Sequence, residues 1–129
     1  MAKEKEMSNP CKQVEINGHN YVLQSETEKA AELNGMPFKI VRTYSAGVFA
    51  GYVESRDGRE VVMRKARRLW QWYGAASLSE LAMRGTSKPD ECKFPMAVDR
   101  VEVLEAIELI DCTETALKSI QEVPTWTAQ

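Results

Sequence analysis

A chain of 129 residues is the size of one ordinary domain and can bury a core without disulfide staples. Its 43% hydrophobic and 28% charged composition is that of a folded globular protein, and no apolar run approaches the ~20 residues that span a bilayer. The net charge of −2 excludes binding of duplex nucleic acid through bulk charge, although residues 56–72 carry a local +4 and residues 99–129 a local −5.

Residues 1–12 read as a flexible polar tail, with no apolar segment of the secretory type, and residues 13–129 as a single α+β domain. Val14-Glu15-Ile16 and Tyr21-Val22-Leu23 flank Asn17-Gly18, which predicts a hairpin. Ser25 and Glu28 form a capping box, predicting a helix through Ala30, Ala31 and Leu33 that Gly35 and Pro37 stop. Phe38–Tyr44, Val48–Glu54 and Glu60–Lys65 are rich in β-branched and aromatic residues. With a turn at Arg56-Asp57-Gly58-Arg59 and strand-like alternation from Arg67 to Tyr73, residues 38–73 predict an antiparallel β-sheet meander.

Ser77 and Glu80 cap a short helix through Leu81 and Met83, which Gly85 ends. A polar loop covers 86–95. Val101–Ile110 fits strand or helix, the alternation favouring strand. Asp111 or Thr113 caps a C-terminal helix that Val123-Pro124 closes. The expected fold is therefore α+β, a meander with short capped helices.

Little in the chain is equipped for covalent chemistry. Cys11, Cys92 and Cys112 are widely spaced and His19 is the sole histidine, so neither a structural metal site nor a nucleophile–base couple is expected. The thiols read as reduced, in a cytoplasmic setting. No phosphate-binding glycine loop or hydrolase motif occurs, and Glu102, Glu105 and Glu108 read as a solvated face. No cofactor is expected and no enzymatic activity.

Arg42–Leu78 stands apart. Arg42 and Tyr44 share one strand face and precede the small residues Ser45-Ala46-Gly47, where a ligand can approach the backbone. Arg68, Trp70 and Trp72 share a face of the later strand, with Arg67 on the opposite one; Arg42, Arg67 and Arg68 are all candidate ligand contacts, but only one of the last two can serve a given pocket face, and parity favours Arg68. Guanidinium planes grip phosphate and aromatic faces stack on bases. Gly74, Ala75 and Ser77 lead into a helix N-terminus that suits an anion. The bland readings stand beside this one: the tryptophans can be the core face of a sheet, and Ser77 is more readily a cap than a contact.

Arg42-Thr43-Tyr44-Ser45-Ala46-Gly47-Val48, the stretch from Ala66-Arg67-Arg68 through Trp70-Gln71-Trp72 to Leu78, and Glu105–Ile110 resemble a family of small phage proteins similar to the Thoeris anti-defence sponges. The resemblance covers about residues 38–124. It implies a cytoplasmic homo-oligomer, acting during phage infection, that binds a cyclic ADP-ribose isomer or cyclic oligonucleotide and holds it without cleavage. No membrane partner is expected, since the apolar runs are too short. Competing readings are a protein-interaction module using the Trp70/Trp72 region, a weak nucleic-acid binder and a nucleotide-cleaving enzyme.

Overall fold

A computed structural model describes residues 28–128, together with the backbone of 15–16 and 19–20. Two short strands, β1 (Glu15–Ile16) and β2 (His19–Asn20), pair antiparallel with Ile16 opposite His19. That register is the one a two-residue Asn-Gly turn requires. Residues 17–18, the expected tail and the Ser25 cap lie outside the described residues.

The expected helix through Ala30, Ala31 and Leu33 is absent, and the segment is extended. Its backbone groups are taken by distant partners: Ala30 N–H donates to the Cys112 carbonyl (3.0 Å), and Ala31 N–H to Glu114 Oε1 (2.7 Å). Leu33 and Met36 exchange both backbone bonds across Asn34 (φ 53°) and Gly35 (φ 81°). Two successive positive φ angles make a type I′ turn, so Gly35 closes a tight turn and not a helix.

The meander forms from β3 (Phe38–Thr43), β4 (Val48–Asp57) and β5 (Glu60–Arg68). Asp57 faces Glu60 across the two-residue loop Gly58–Arg59. β5 ends at Arg68, so Trp70 and Trp72 lie beyond the sheet, and Gln71 alone bridges to Lys93. The 101–110 segment is neither one strand nor a helix but parts of two strands, β6 (Val98–Val103) and β7 (Ala106–Asp111). The strand order is β6-β5-β4-β3-β7, antiparallel throughout.

β6 and β7 are thus the outer strands of a five-stranded sheet, yet Leu104 and Glu105 alone separate them. In a flat sheet of this width the outer strands stand about 19 Å apart. Three peptide links reach at most about 11 Å. The sheet must therefore roll until its edges meet. Ala106 N–H donates to the Arg59 carbonyl across the seam, and the bond from Tyr44 N–H to the Glu105 carbonyl extends the β3–β7 ladder up to it, each at 3.0 Å.

Rolling gives the sheet an inner and an outer core. The inner cluster draws on every strand and includes Val41, Phe49, Val61, Met63, Val103 and Ala106. On the outer face Phe38, Ile40, Ala50 and Tyr52 pack with Phe94 beneath the helices α1 (Leu78–Arg84) and α2 (Glu114–Glu122). Ile40 and Val41 are adjacent and both 0% exposed, so the sheet is covered on both sides. Both helices carry the expected caps. Ser77 Oγ accepts from Glu80 N–H, and Thr113 Oγ1 from Ala116 N–H, which settles the second cap on Thr113. No helix among the described residues is long and apolar enough to cross a membrane.

One side chain joins these layers. Arg67 is buried, and its guanidinium donates to four carbonyls: Pro95 (2.9 Å), Ile120 (2.8 Å), Phe94 (3.1 Å) and Val123 (2.7 Å). At the end of α2 the Ile120 carbonyl has only a long bond from Val123 N–H (3.4 Å) and the Val123 carbonyl lies past the helix, and Arg67 donates to both. Burial lowers its pKa from the ordinary arginine value. Arg67→Met leaves the Pro95 and Val123 carbonyls without a donor, while Phe94 and Ile120 keep only their backbone bonds from Trp126 and Val123 N–H, and should lower unfolding stability by about 3 kcal/mol. Arg67→Lys should recover only part, because one ammonium cannot reproduce the planar fork. Urea unfolding reads both, and a wild-type midpoint in Arg67→Met would contradict this role.

Candidate functional site

The seam of the rolled sheet leaves a recess. It is lined by Thr43, Ser45, Ala46, Phe49 and Arg68 on one side and by residues 101–105 on the other, with a volume of about 370 Å³. The turn between β3 and β4 is shaped by Thr43. Its hydroxyl donates to the Gly47 carbonyl (2.7 Å) and accepts from Ala46 N–H (2.8 Å), which holds Ser45-Ala46-Gly47 as a compact rim. Ser45 Oγ reaches across the seam to Glu105 Oε1 at 3.3 Å.

Arg68 dominates one wall. Phe49 lies opposite it in the β4–β5 ladder, and the guanidinium carbon sits 4.5 Å from the centre of the Phe49 ring. Phe49 is 4% exposed, so the ring is a fixed base for the cation. Arg68 is itself exposed, and a guanidinium held by one face keeps the edge N–H groups that grip a planar or tetrahedral oxyanion. Gly47 stands close by: a Cβ there would lie 3.9 Å from Arg68 Nε. Opposing charge lies on the far wall, where Glu102 pairs with Arg100 at 2.8 Å and Glu105 faces Ser45.

The structure brings together Ser45, Gly47 and Arg68 from the residues singled out in the sequence, and separates the others. Arg42 lies on the strand face opposite Thr43, where it pairs with Glu108 at 2.8 Å. Tyr44 is exposed beside the seam. Trp70 is 63% exposed, while Trp72 and Ala75 pack against the outer core, so the two tryptophans do not share a face with Arg68. Arg67 points the other way, under the helices, and serves the fold.

Gly74, Ala75 and Ser77 do not make an open anion site. A Cβ on Gly74 would lie 2.5 Å from Lys88 N, so that glycine exists to let the 86–88 backbone approach. The Glu80 carboxylate already accepts from Ala76 N–H at 2.7 Å and places negative charge at the helix start. Residues the sequence reading left out are Thr43, Phe49, Glu102 and Glu105. Phe49 could have been found from the hairpin register alone, since an unbulged ladder from the Gly58–Arg59 loop also sets it opposite Arg68.

Among the described residues the thiols offer no nucleophile at this recess. Cys92 and Cys112 are both buried, and burial pushes the Cys112 thiol up to about 12. No group of three or more His, Cys, Asp or Glu among the described residues is placed to hold a metal ion. The Cys112 shift carries a stability consequence. Its ordinary value is 9.0, so above that pH the unfolded chain releases a proton that the folded chain retains. The contribution is complete below pH 9 and is lost as pH rises towards 12, at about 1.4 kcal/mol per pH unit. Chemical denaturation between pH 8 and pH 11 should show Cys112→Ala losing less stability over this range than wild type. Parallel curves would contradict it.

No curated protein and no solved structure matches the chain. Residues 37–120, more than half of it, span β3 to the body of α2 and so contain the rolled sheet, the seam recess and both helix caps. Over that stretch the chain matches a family profile, and it belongs to the family described as a domain of unknown function, DUF6948.

Proposed function

We propose that this chain binds an anionic nucleotide at the seam recess and holds it without turnover. The observation that carries the reading is Arg68 stacked on buried Phe49 beside a rim of small residues. A volume of about 370 Å³ falls in the range of small-ligand pockets. Arg68 supplies a phosphate grip, and Ser45 with the main chain of 45–47 supplies close polar contact. Glu102 and Glu105 accept hydrogen bonds from ribose hydroxyls or base amino groups. One cation set against two carboxylates suits a ligand with few phosphates and many hydroxyls, and disfavours a polyanion.

This chemistry fits the resemblance to phage sponges that sequester cyclic ADP-ribose-type signals in the host cytoplasm. Sequestration requires protein in excess of signal and a slow off-rate. The exposed Trp70, Met96 and Leu104 support a homo-oligomer, and Trp70 also keeps a protein-interaction role in play. Calorimetric titration of a cyclic ADP-ribose isomer separates the two. Under sequestration, wild type binds with defined stoichiometry, and Arg68→Ala weakens binding by about a hundredfold or more with an unchanged circular dichroism spectrum. Wild-type affinity in Arg68→Ala would remove the recess as the site. Light scattering at micromolar concentration should give a mass above one chain, and a monomer would refute the oligomer.

A further inference from the structure

A second recess lies on the other side of the sheet, under the end of α2. Its volume is about 260 Å³, and its lining includes Phe38, Lys65, Arg67, Gln121 and Thr125. Two cations line it and no carboxylate does. Glu54 and Asp99 line an adjacent recess that Lys65 also borders, and both are engaged by Arg64, at 2.6 and 3.6 Å. The Lys65 ammonium has no ion pair or hydrogen bond among the described residues, and neither does the Thr125 hydroxyl.

Lys65 is held there by a backbone device. Between the pairs Tyr52–Arg64 and Ala50–Arg67, β4 has one residue and β5 has two, which is a β-bulge. Lys65 occupies the bulge with φ 50°, a conformation uncommon for a side chain of this kind. The bulge turns Ala66 into the inner core and Arg67 outward, and places Lys65 at the mouth of the recess. Arg67 meets four carbonyl dipoles and no counter-anion, and a helix C-terminus carries only about −0.5 charge. The two cations outweigh it.

We infer that the recess formed by Lys65, Arg67, Gln121 and Thr125 is an oxyanion site that takes a phosphate-sized group. Its volume is smaller than that of the seam recess, which suits a free oxyanion or a single protruding phosphate. Lys65 contributes the mobile charge, Thr125 a hydroxyl donor, and Arg67 the fixed positive floor. The site lies across the sheet from Arg68 and does not depend on the seam recess.

Inorganic phosphate is the probe. Thermal unfolding is followed in phosphate and in chloride at matched pH and ionic strength. At a concentration tenfold above its Kd, phosphate should raise the wild-type Tm by about 4 °C or more over chloride. Lys65→Asn keeps a residue that tolerates the positive φ and removes the charge, so the increment should fall below half. Thr125→Val, at an exposed position, should reduce it as well. Arg68→Ala should leave it intact. Equal Tm in the two salts for wild type, or a full increment in both Lys65→Asn and Thr125→Val, would overturn the site. Loss of the increment in Arg68→Ala would overturn it too, by placing the phosphate at the seam.

Discussion

The layers of this molecule meet at one buried cation. Arg67 stands on a central strand and bonds carbonyls from the 94–95 segment and from the end of α2. Its ring contact with Phe94, 5.5 Å from the guanidinium carbon, adds an apolar surface to the same junction. A buried charge is costly unless its donors are met, and here backbone dipoles meet them. The result fixes the distance and tilt of the helix layer above the sheet. With that layer in place, Phe38, Ile40, Ala50 and Tyr52 have a cover, and the outer core can close.

A second constraint is one of reach. Two residues connect strands that lie at opposite ends of the sheet order, and chain geometry then demands a roll. The inner core follows from the roll, and so does the recess, because the place where the edges meet cannot be filled by ladder bonds alone. Thr43 and the small residues after it fit that place. The recess is thus a by-product of topology that the side chains of Arg68, Phe49 and Glu105 turn into a polar mouth.

Local chemistry was the legible part of the sequence. The Ser77 and Thr113 caps, the Asp57–Glu60 turn and the three meander strands all rest on interactions within a few residues. Two of the misreadings were decided by distant partners. Ala30 and Ala31 were drawn out of a helix by Cys112 and Glu114, and the Asn34-Gly35 pair then served a turn. Arg67 read as a ligand contact because its acceptors lie 27 to 56 residues further on. The strand parity from Arg68 to Trp72 failed because β5 stops at Arg68. The β4–β5 bulges are invisible to pattern reading, yet their register shifts cancel, which is why Phe49 and Arg68 meet as an ideal hairpin would have them.

The position of Arg67's acceptors also orders events in time. A ribosome delivers the chain from the N-terminus, so β3, β4 and β5 emerge as a local hairpin system before any of the four carbonyls exists. β7, which must insert beside β3, and the end of α2, which receives the guanidinium, come last. Until then the outer apolar face and an unpaired edge of β3 are uncovered, which is the condition under which nascent strands find wrong partners. Pairings of such high sequence separation are also slow to form. The decisive step of folding therefore waits for the end of α2, and the segment from β7 onward acts as the lock on everything made before it.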